Sequence, residues 1–174
     1  MTGTLTWTIR PAGPADADAL ALVGQATFLE SYAGAIDGQA IIAHCTAQHS
    51  AATYRDYFAR GAVAWLVVLA PGDAPIGYAM TCPPELEQGQ PGDVELKRIY
   101  VLSRFHGTGI ASALMDTVVD ASSGAARLLL GVKSDNNRAL AYYAKHQFTQ
   151  IGTRRFKVGD RAYDDFVLAR ALHC

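Results

Sequence analysis

Cysteine is scarce in this chain. Cys45, Cys82 and Cys174 are odd in number and far apart, and no CxxC pair occurs. Neither a disulfide framework nor a zinc site is expected from such a set. Cys45 falls in a helical pattern and reads as a small core residue; Cys174 reads as incidental. Cys82 closes a strand before Pro83-Pro84, but no base accompanies it to make a nucleophile. Long apolar runs are also missing. The longest, Ala62 to Ala70, is strand-sized and well short of the roughly 20 residues a membrane span needs. The stretch Met1 to Trp7 has no basic segment followed by an apolar one, so no secretory signal is read there and the cytoplasm is the expected compartment. Nor does one sign of charge dominate. The formal net charge is -1, which argues against a nucleic-acid partner held by an overall basic surface. The five histidines show no metal-ligand spacing, so no metal is expected.

What is present suits one compact domain over residues 1–174, since the chain is 50% hydrophobic. Trp7 to Pro11 reads as a strand. Pro14-Ala15-Asp16 opens a helix with Leu20, Val23, Thr27 and Phe28 at helical spacing, ending near Gly34. A second helix covers Asp37 to His49, with Ile41, Ile42 and Cys45 on one face. Ser50 caps a third over Ala51 to Arg60. Ala64–Leu69 and Ile76–Cys82 form a hairpin around Pro71-Gly72-Asp73. After a polar loop, Glu85 to Gly92, come a strand at Val94–Leu102, a helix at Ile110–Ala121 and a strand at Arg127–Val132. A helix from Asn136 to about His146 precedes a closing hairpin of Phe148–Lys157 and Ala162–Leu168. The order predicts a mixed α/β domain, a central sheet of about six to seven strands flanked by helices.

The chemistry concentrates at Arg104-Phe105-His106-Gly107-Thr108-Gly109-Ile110-Ala111, between a strand and a helix. Glycines let a backbone approach an anion, and a helix start offers unpaired N–H groups with partial positive charge. Arg104 and His106 add donors at the rim. The stretch is not a Walker loop, because no Lys-Ser or Lys-Thr pair follows Gly109. It is not a dinucleotide fingerprint either, because Ser112 stands at the third glycine position. The pattern Arg-x-x-Gly-x-Gly-Ile-Ala, directly after Leu96 to Val101, resembles the pyrophosphate-binding motif of the GNAT superfamily of acetyl-coenzyme A-dependent N-acetyltransferases. Asn136 to Phe148 is similar to that family's Asn-x-x-Ala-x-x-Phe-Tyr-x-Lys-x-Gly-Phe segment, departing from it at Gln147. Ala26 to Tyr32, followed by a further helix, resembles the PaiA-type branch, which is linked to polyamine acetylation.

The resemblance implies acetyl-coenzyme A as cosubstrate. Its pyrophosphate would meet the amides of Gly107, Thr108, Gly109, Ile110 and Ala111, with Ser112 and Arg104 beside them. Its pantetheine would lie along Ile99, Tyr100 and Val101 like an added strand. Asn136 either fixes the cofactor arm or caps its helix. The acceptor would be a primary amine, with polyamine-like small amines leading. Protein amino termini or lysines are the alternative within enzymes, and a non-catalytic coenzyme A sensor is the alternative outside them. Tyr143 stands where the family carries its acid tyrosine, while Tyr142 is expected to pack in the core. Glu95 is the candidate base; Glu30 and Tyr32 are candidates for the acceptor side. Glu85, Glu87 and Asp93 make an acidic approach suited to a cation. Pairing of two copies through carboxy-terminal strands is implied by the resemblance alone.

Overall fold

The computed structural model describes residues 5–172, so the readings placed on residues 1–4, on His173 and on Cys174 lie outside the described residues. The chain runs β1 (Trp7–Ala12), α1 (Ala17–Tyr32, entered by a 3₁₀ turn), α2 (Gly38–Gln48), α3 (Ala51–Ala59), β2 (Val63–Leu69), β3 (Ala74–Cys82) and β4 (Val94–Val101). After a 3₁₀ turn, Ser103–Phe105, follow α4 (Ile110–Ala121), β5 (Arg127–Lys133), α5 (Asn137–Lys145), β6 (Thr149–Val158) and β7 (Arg161–Ala171). The strands form one seven-stranded sheet in the order β1-β2-β3-β4-β5-β7-β6. Only β4 and β5 run parallel; every other neighbouring pair is antiparallel.

Local chemistry sets the helix starts. Asp37 accepts the N–H groups of Gln39 and Ala40 to begin α2, and Ser50 accepts that of Thr53 to begin α3. The face expected for α2 is narrower than read. Ile41 is buried and Cys45 half-buried, but Ile42 is 59% exposed, because adjacent helical residues point about 100° apart.

Both sheet faces are covered. On one, Leu20 and Val23 of α1 and Tyr54 and Tyr57 of α3 pack on Ala64, Leu66, Tyr78 and Met80. On the other, Ile110, Leu114, Met115 and Val118 of α4 pack on Val67, Ala79, Leu96, Leu128, Leu130 and Leu168, with α5 joining through Leu140, Tyr142 and Tyr143. Burial of these apolar side chains is the main favourable term holding the layers together.

Two irregularities position the site. The register of β4 against β3 slips at Lys97: Met80 faces Arg98, yet Thr81 faces Leu96. The extra residue is a β-bulge, which bends the strand and re-aims its side chains. The parallel ladder between β4 and β5 contains only Val94↔Leu128 and Glu95↔Leu129, so beyond Glu95 the two strands part.

The turn after α5 is retained despite Gln147. This residue adopts a left-handed φ of 66°, and Phe148 donates its N–H to the Tyr143 carbonyl at 3.0 Å, closing the helix. A side chain in that conformation costs about 1–2 kcal/mol, part of which glycine returns as unfolded-state entropy. Gln147→Gly is therefore expected to stabilise the fold by about 0.5 kcal/mol, and Gln147→Val to destabilise it. Urea denaturation of the two variants checks this; a loss of stability with glycine would show that the Gln147 side chain holds the turn.

Candidate active site

The turn that follows β4 leaves backbone donors and open space together. Gly107 and Gly109 have φ of 79° and 85°, and a Cβ at either would meet no protein atom within 4 Å. Phe105 donates its N–H to Leu102 and His106 donates its N–H to Ser103, which fixes the entry to the turn. The Thr108 hydroxyl bonds the Phe105 carbonyl at 2.6 Å, and His106 Nε2 lies 2.8 Å from the Val101 carbonyl, donating to it. The first N–H satisfied within α4 is that of Ala113, on Gly109. The amides of Gly107, Thr108, Gly109, Ile110, Ala111 and Ser112 thus have no partner among the described residues. Arg104 is exposed and forms no ion pair among the described residues. Open space, six free donors and an unpaired guanidinium are the donor set a diphosphate requires. His106, read as a rim donor, instead spends its ring on tying the turn to β4.

Across the parted strands, α5 brings Tyr143 toward Tyr100. Its hydroxyl has no hydrogen-bond partner among the described residues. Burial first, then Tyr142 and Tyr100, push its pKa upward. The phenol is therefore protonated at neutral pH. Tyr142 packs edge-on against Tyr143, ring centroids 5.3 Å apart, and bonds the Ala111 carbonyl at 2.7 Å. That contact fastens α5 to the first turn of α4. Asn136 is the cap of α5: its Oδ1 accepts the Ala139 N–H at 3.1 Å.

The expected carboxylates are engaged elsewhere. Glu95 is 2% exposed; its Oε2 accepts the N–H groups of Glu85 (2.7 Å) and Leu86 (3.1 Å), and Oε1 faces Lys97 at 3.5 Å. It anchors the β3–β4 loop at the closed end of the fork, five residues along β4 from Tyr100, about 15 Å at strand rise. Glu30, at the end of α1, spends both oxygens on the amide and hydroxyl of Ser103, bracing the turn before the cradle. The acidic approach is largely neutralised: Glu85 pairs with Lys97 and Arg60, and Asp93 with Arg127 at 2.6 Å. Tyr32, read for the acceptor side, is the last residue of α1. It stacks on Phe28 at 4.4 Å, and its hydroxyl is pushed up to about 12 by burial, then by Tyr100, Asp165, Tyr163 and Asp135. Cys82 is buried and its thiol is pushed up to about 12 by burial, which leaves it inert.

The family model for the Acetyltransferase (GNAT) family matches residues 28–148. The chain belongs to the GNAT family. An uncharacterized N-acetyltransferase of Mycobacterium tuberculosis is 38% identical over 159 residues, covering 90% of this chain and 98% of its own length; one of Mycobacterium bovis matches to the same extent. The fold is that of PaiA N-acetyltransferase from Thermoplasma acidophilum, solved in complex with coenzyme A, with a TM-score of 0.73 at 16% identity over 95% of this chain and 99% of that one. It is likewise that of the ribosomal-protein-S18-alanine N-acetyltransferase from Escherichia coli, at a TM-score of 0.68 and 20% identity over 97% and 96%. This GNAT protein is an acetyl-coenzyme A-dependent N-acetyltransferase.

One group beside the cleft escaped the sequence reading. Arg98, 6% exposed on β4, has no carboxylate partner among the described residues. It donates to the Gln48 carbonyl at 2.8 Å and lies over the rings of Tyr54 and Tyr57, at 4.9 and 5.4 Å. The Tyr54 hydroxyl bonds that of Tyr78 and also His49 Nδ1, at 2.9 Å. A charged residue between Leu96 and Ile99 in a central strand was the available signal. His49, read as an ordinary surface or helix residue, is 2% exposed because Gln25 and Tyr54 supply its polar contacts within the core.

Burial, then the charge of Arg98, lower the His49 pKa to about 3. Its ordinary value is 6.5, so between the two the unfolded chain binds a proton that the folded chain refuses. Stability is expected to fall as pH falls through that window, by up to about 1.4 kcal/mol per pH unit from this group. His49→Gln should flatten that slope in denaturation curves taken across the window; an unchanged slope would assign the titration to other groups.

Proposed function

We propose that this acetyltransferase acts on a small primary amine, that the cradle of residues 104–112 binds the pyrophosphate of coenzyme A, and that Tyr143 is the catalytic acid. The observation that carries the reading is the row of six free amides at the mouth of the β4–β5 fork. From Leu96 onward β4 keeps a ladder only with β3, so the edge at Ile99, Tyr100 and Val101 is available for an extended pantetheine. The Val101 carbonyl, taken by His106, is the exception. The amide side of Asn136 is free to meet the same arm while its oxygen caps α5.

When bound, acetyl-coenzyme A supplies the thioester carbon that the amine attacks. Backbone N–H groups along Ile99 to Val101 would polarise the acetyl carbonyl. Tyr143 would give its proton to the sulfur as the C–S bond breaks, the attacking nitrogen would lose one proton to water, and water would return a proton to the phenolate. Glu95, expected as base, is on this geometry a positioning residue that holds the start of β4, and Glu30 positions the cradle through Ser103. Tyr32 remains a wall of the acceptor side.

A closed acceptor side supports a small acceptor over a peptide. The β6–β7 hairpin is pinned to the corner between α1 and α2: Arg161 donates to the Ala35 carbonyl at 2.9 Å, and Val158 packs with Phe28, Ile36 and Ile41. A peptide would need that corner open. A thiol-release assay against polyamines, amino acids, aminoglycosides and peptides tests the class directly.

Gly107→Val is expected to raise the Kd for coenzyme A at least tenfold by filling the cradle and straining a left-handed residue. Unaltered affinity by calorimetry would move the pyrophosphate elsewhere. Tyr143→Phe is expected to lower kcat by about 100-fold or more while coenzyme A affinity stays within twofold. Unchanged turnover would remove the phenol from the reaction.

A further inference from the structure

Asp165 is a buried carboxylate with half of its bonding capacity unused. It is 4% exposed on β7. Its Oδ2 accepts Nε and Nη2 of Arg154, each at 3.2 Å, while Oδ1 has no hydrogen-bond partner. Leaving a buried carboxylate oxygen unpaired is costly, so an arrangement that keeps it needs a reason.

The pair is built into the sheet rather than left over from it. Arg154 lies against Gly131 of β5, where an added Cβ would sit 2.5 Å from the guanidinium. Glycine in a strand interior weakens the strand, and here it makes room for that one contact. Asp165 shares its sheet face with its alternate neighbours Tyr163 and Val167. Tyr163 packs with Phe28 and Tyr32 beneath α1 and α2, whereas Phe166 and Leu168 face α4 and α5. Asp165 therefore looks to the acceptor side. Its charge acts on the Tyr32 hydroxyl together with Tyr100, Tyr163 and Asp135. The nearby Lys133 is occupied, its ammonium 3.2 Å from Asp135 and 4.7 Å from the centre of the Tyr163 ring.

Register gives its height. Asp165 faces Lys133, four residues beyond the last β4–β5 pair at Leu129. Four residues beyond Glu95 on β4 is Ile99, and the bulge at Lys97 shifts the level toward Tyr100. The free oxygen thus stands level with the strand edge assigned to the acetyl group. It lies two strands away, at least about 10 Å and more where β4 and β5 have parted. That is too far to touch the attacking nitrogen and suits a second nitrogen of the same molecule.

We infer that Asp165 is the acceptor-anchoring residue, its free oxygen receiving a distal ammonium, so that the preferred acceptor is a diamine or polyamine. The inference rests on the small-amine reading above and adds to it the residue and the second charge. Burial raises the Asp165 carboxyl above its ordinary range against the opposing pull of Arg154, and an incoming ammonium would relieve that cost.

The test compares diaminohexane with hexylamine, alike in length but not in charge. Both are titrated by calorimetry into protein saturated with coenzyme A, and both are assayed for kcat/KM by thiol release. The wild type should prefer the diamine at least tenfold in each measurement. Asp165→Asn should bring the ratio to within about twofold with coenzyme A affinity unchanged. Arg154→Gln, which removes the competing guanidinium, should widen the ratio. A merely structural ion pair would lower both amines together in either variant, and a ratio that Asp165→Asn leaves intact would overturn the anchor. Wild-type turnover of both amines with no preference would overturn the anchor and leave the small-amine reading standing. Binding and turnover of neither would overturn both.

Discussion

Beyond Glu95 and Leu129, two neighbouring strands of one sheet leave their shared hydrogen bonds unmade. An unpaired strand edge is an energetic liability, and the surrounding chain is organised to hold it open. Glu95 fixes the closed end by gathering the amides of Glu85 and Leu86, so β4 cannot slide to recover pairing. The bulge at Lys97 turns the strand away from β5 just past that anchor. At the open end, Tyr142 ties α5 to the first turn of α4, and the helix pair props the gap from one face. Ser103 and Glu30 do the same for the cradle from the other face. A ligand that pairs with the free edge and caps the free helix amides then gains what the protein has left unsatisfied.

Most of this architecture was legible in the sequence because it is written in local chemistry. The unbroken apolar run of Ala64 to Leu69, the capping Ser50 and Asn136, and the paired glycines at 107 and 109 each specify a backbone conformation without reference to distant residues. The cradle was legible for the same reason: a left-handed glycine before a helix leaves few alternatives. The roles of the carboxylates were not. Whether Glu95 or Glu30 is free depends on which loop amides reach it, and those partners lie 9 to 73 residues away. Sequence spacing carries no trace of such pairings. Ile42 failed more simply, since helical pattern alone does not say how wide the buried stripe is.

The two buried charges, Arg98 and Asp165, mark the limits of pattern reading. Each interrupts an otherwise ordinary strand, and each retains an unpaired polar atom in the core. Their surroundings differ in a telling way. Arg98 is enclosed by phenol rings and a carbonyl, groups that stabilise a cation without neutralising it. Its guanidinium joins α3 and the end of α2 to β4, beside the bulge. Asp165 has a full counter-charge in Arg154 and still keeps one oxygen idle.

That contrast separates scaffold from site. Around Arg98 two phenol faces and the Gln48 carbonyl hold the charge in place within the scaffold, although Nη1 stays unbonded. A charge that serves a ligand must keep a direction open, and its partner must be held so that it cannot swing across to close it. Gly131 achieves this by letting Arg154 lie flat on β5, where it reaches Oδ2 through two donors but makes no bond to Oδ1. The same logic governs Tyr143. Its neighbour Tyr142 is fully bonded and structural, while Tyr143 is packed against Phe148 with its hydroxyl unclaimed. The cradle amides, the Tyr143 hydroxyl and the Asp165 oxygen are thus alike in kind: polar groups whose bonding the fold leaves incomplete, arranged along one fork.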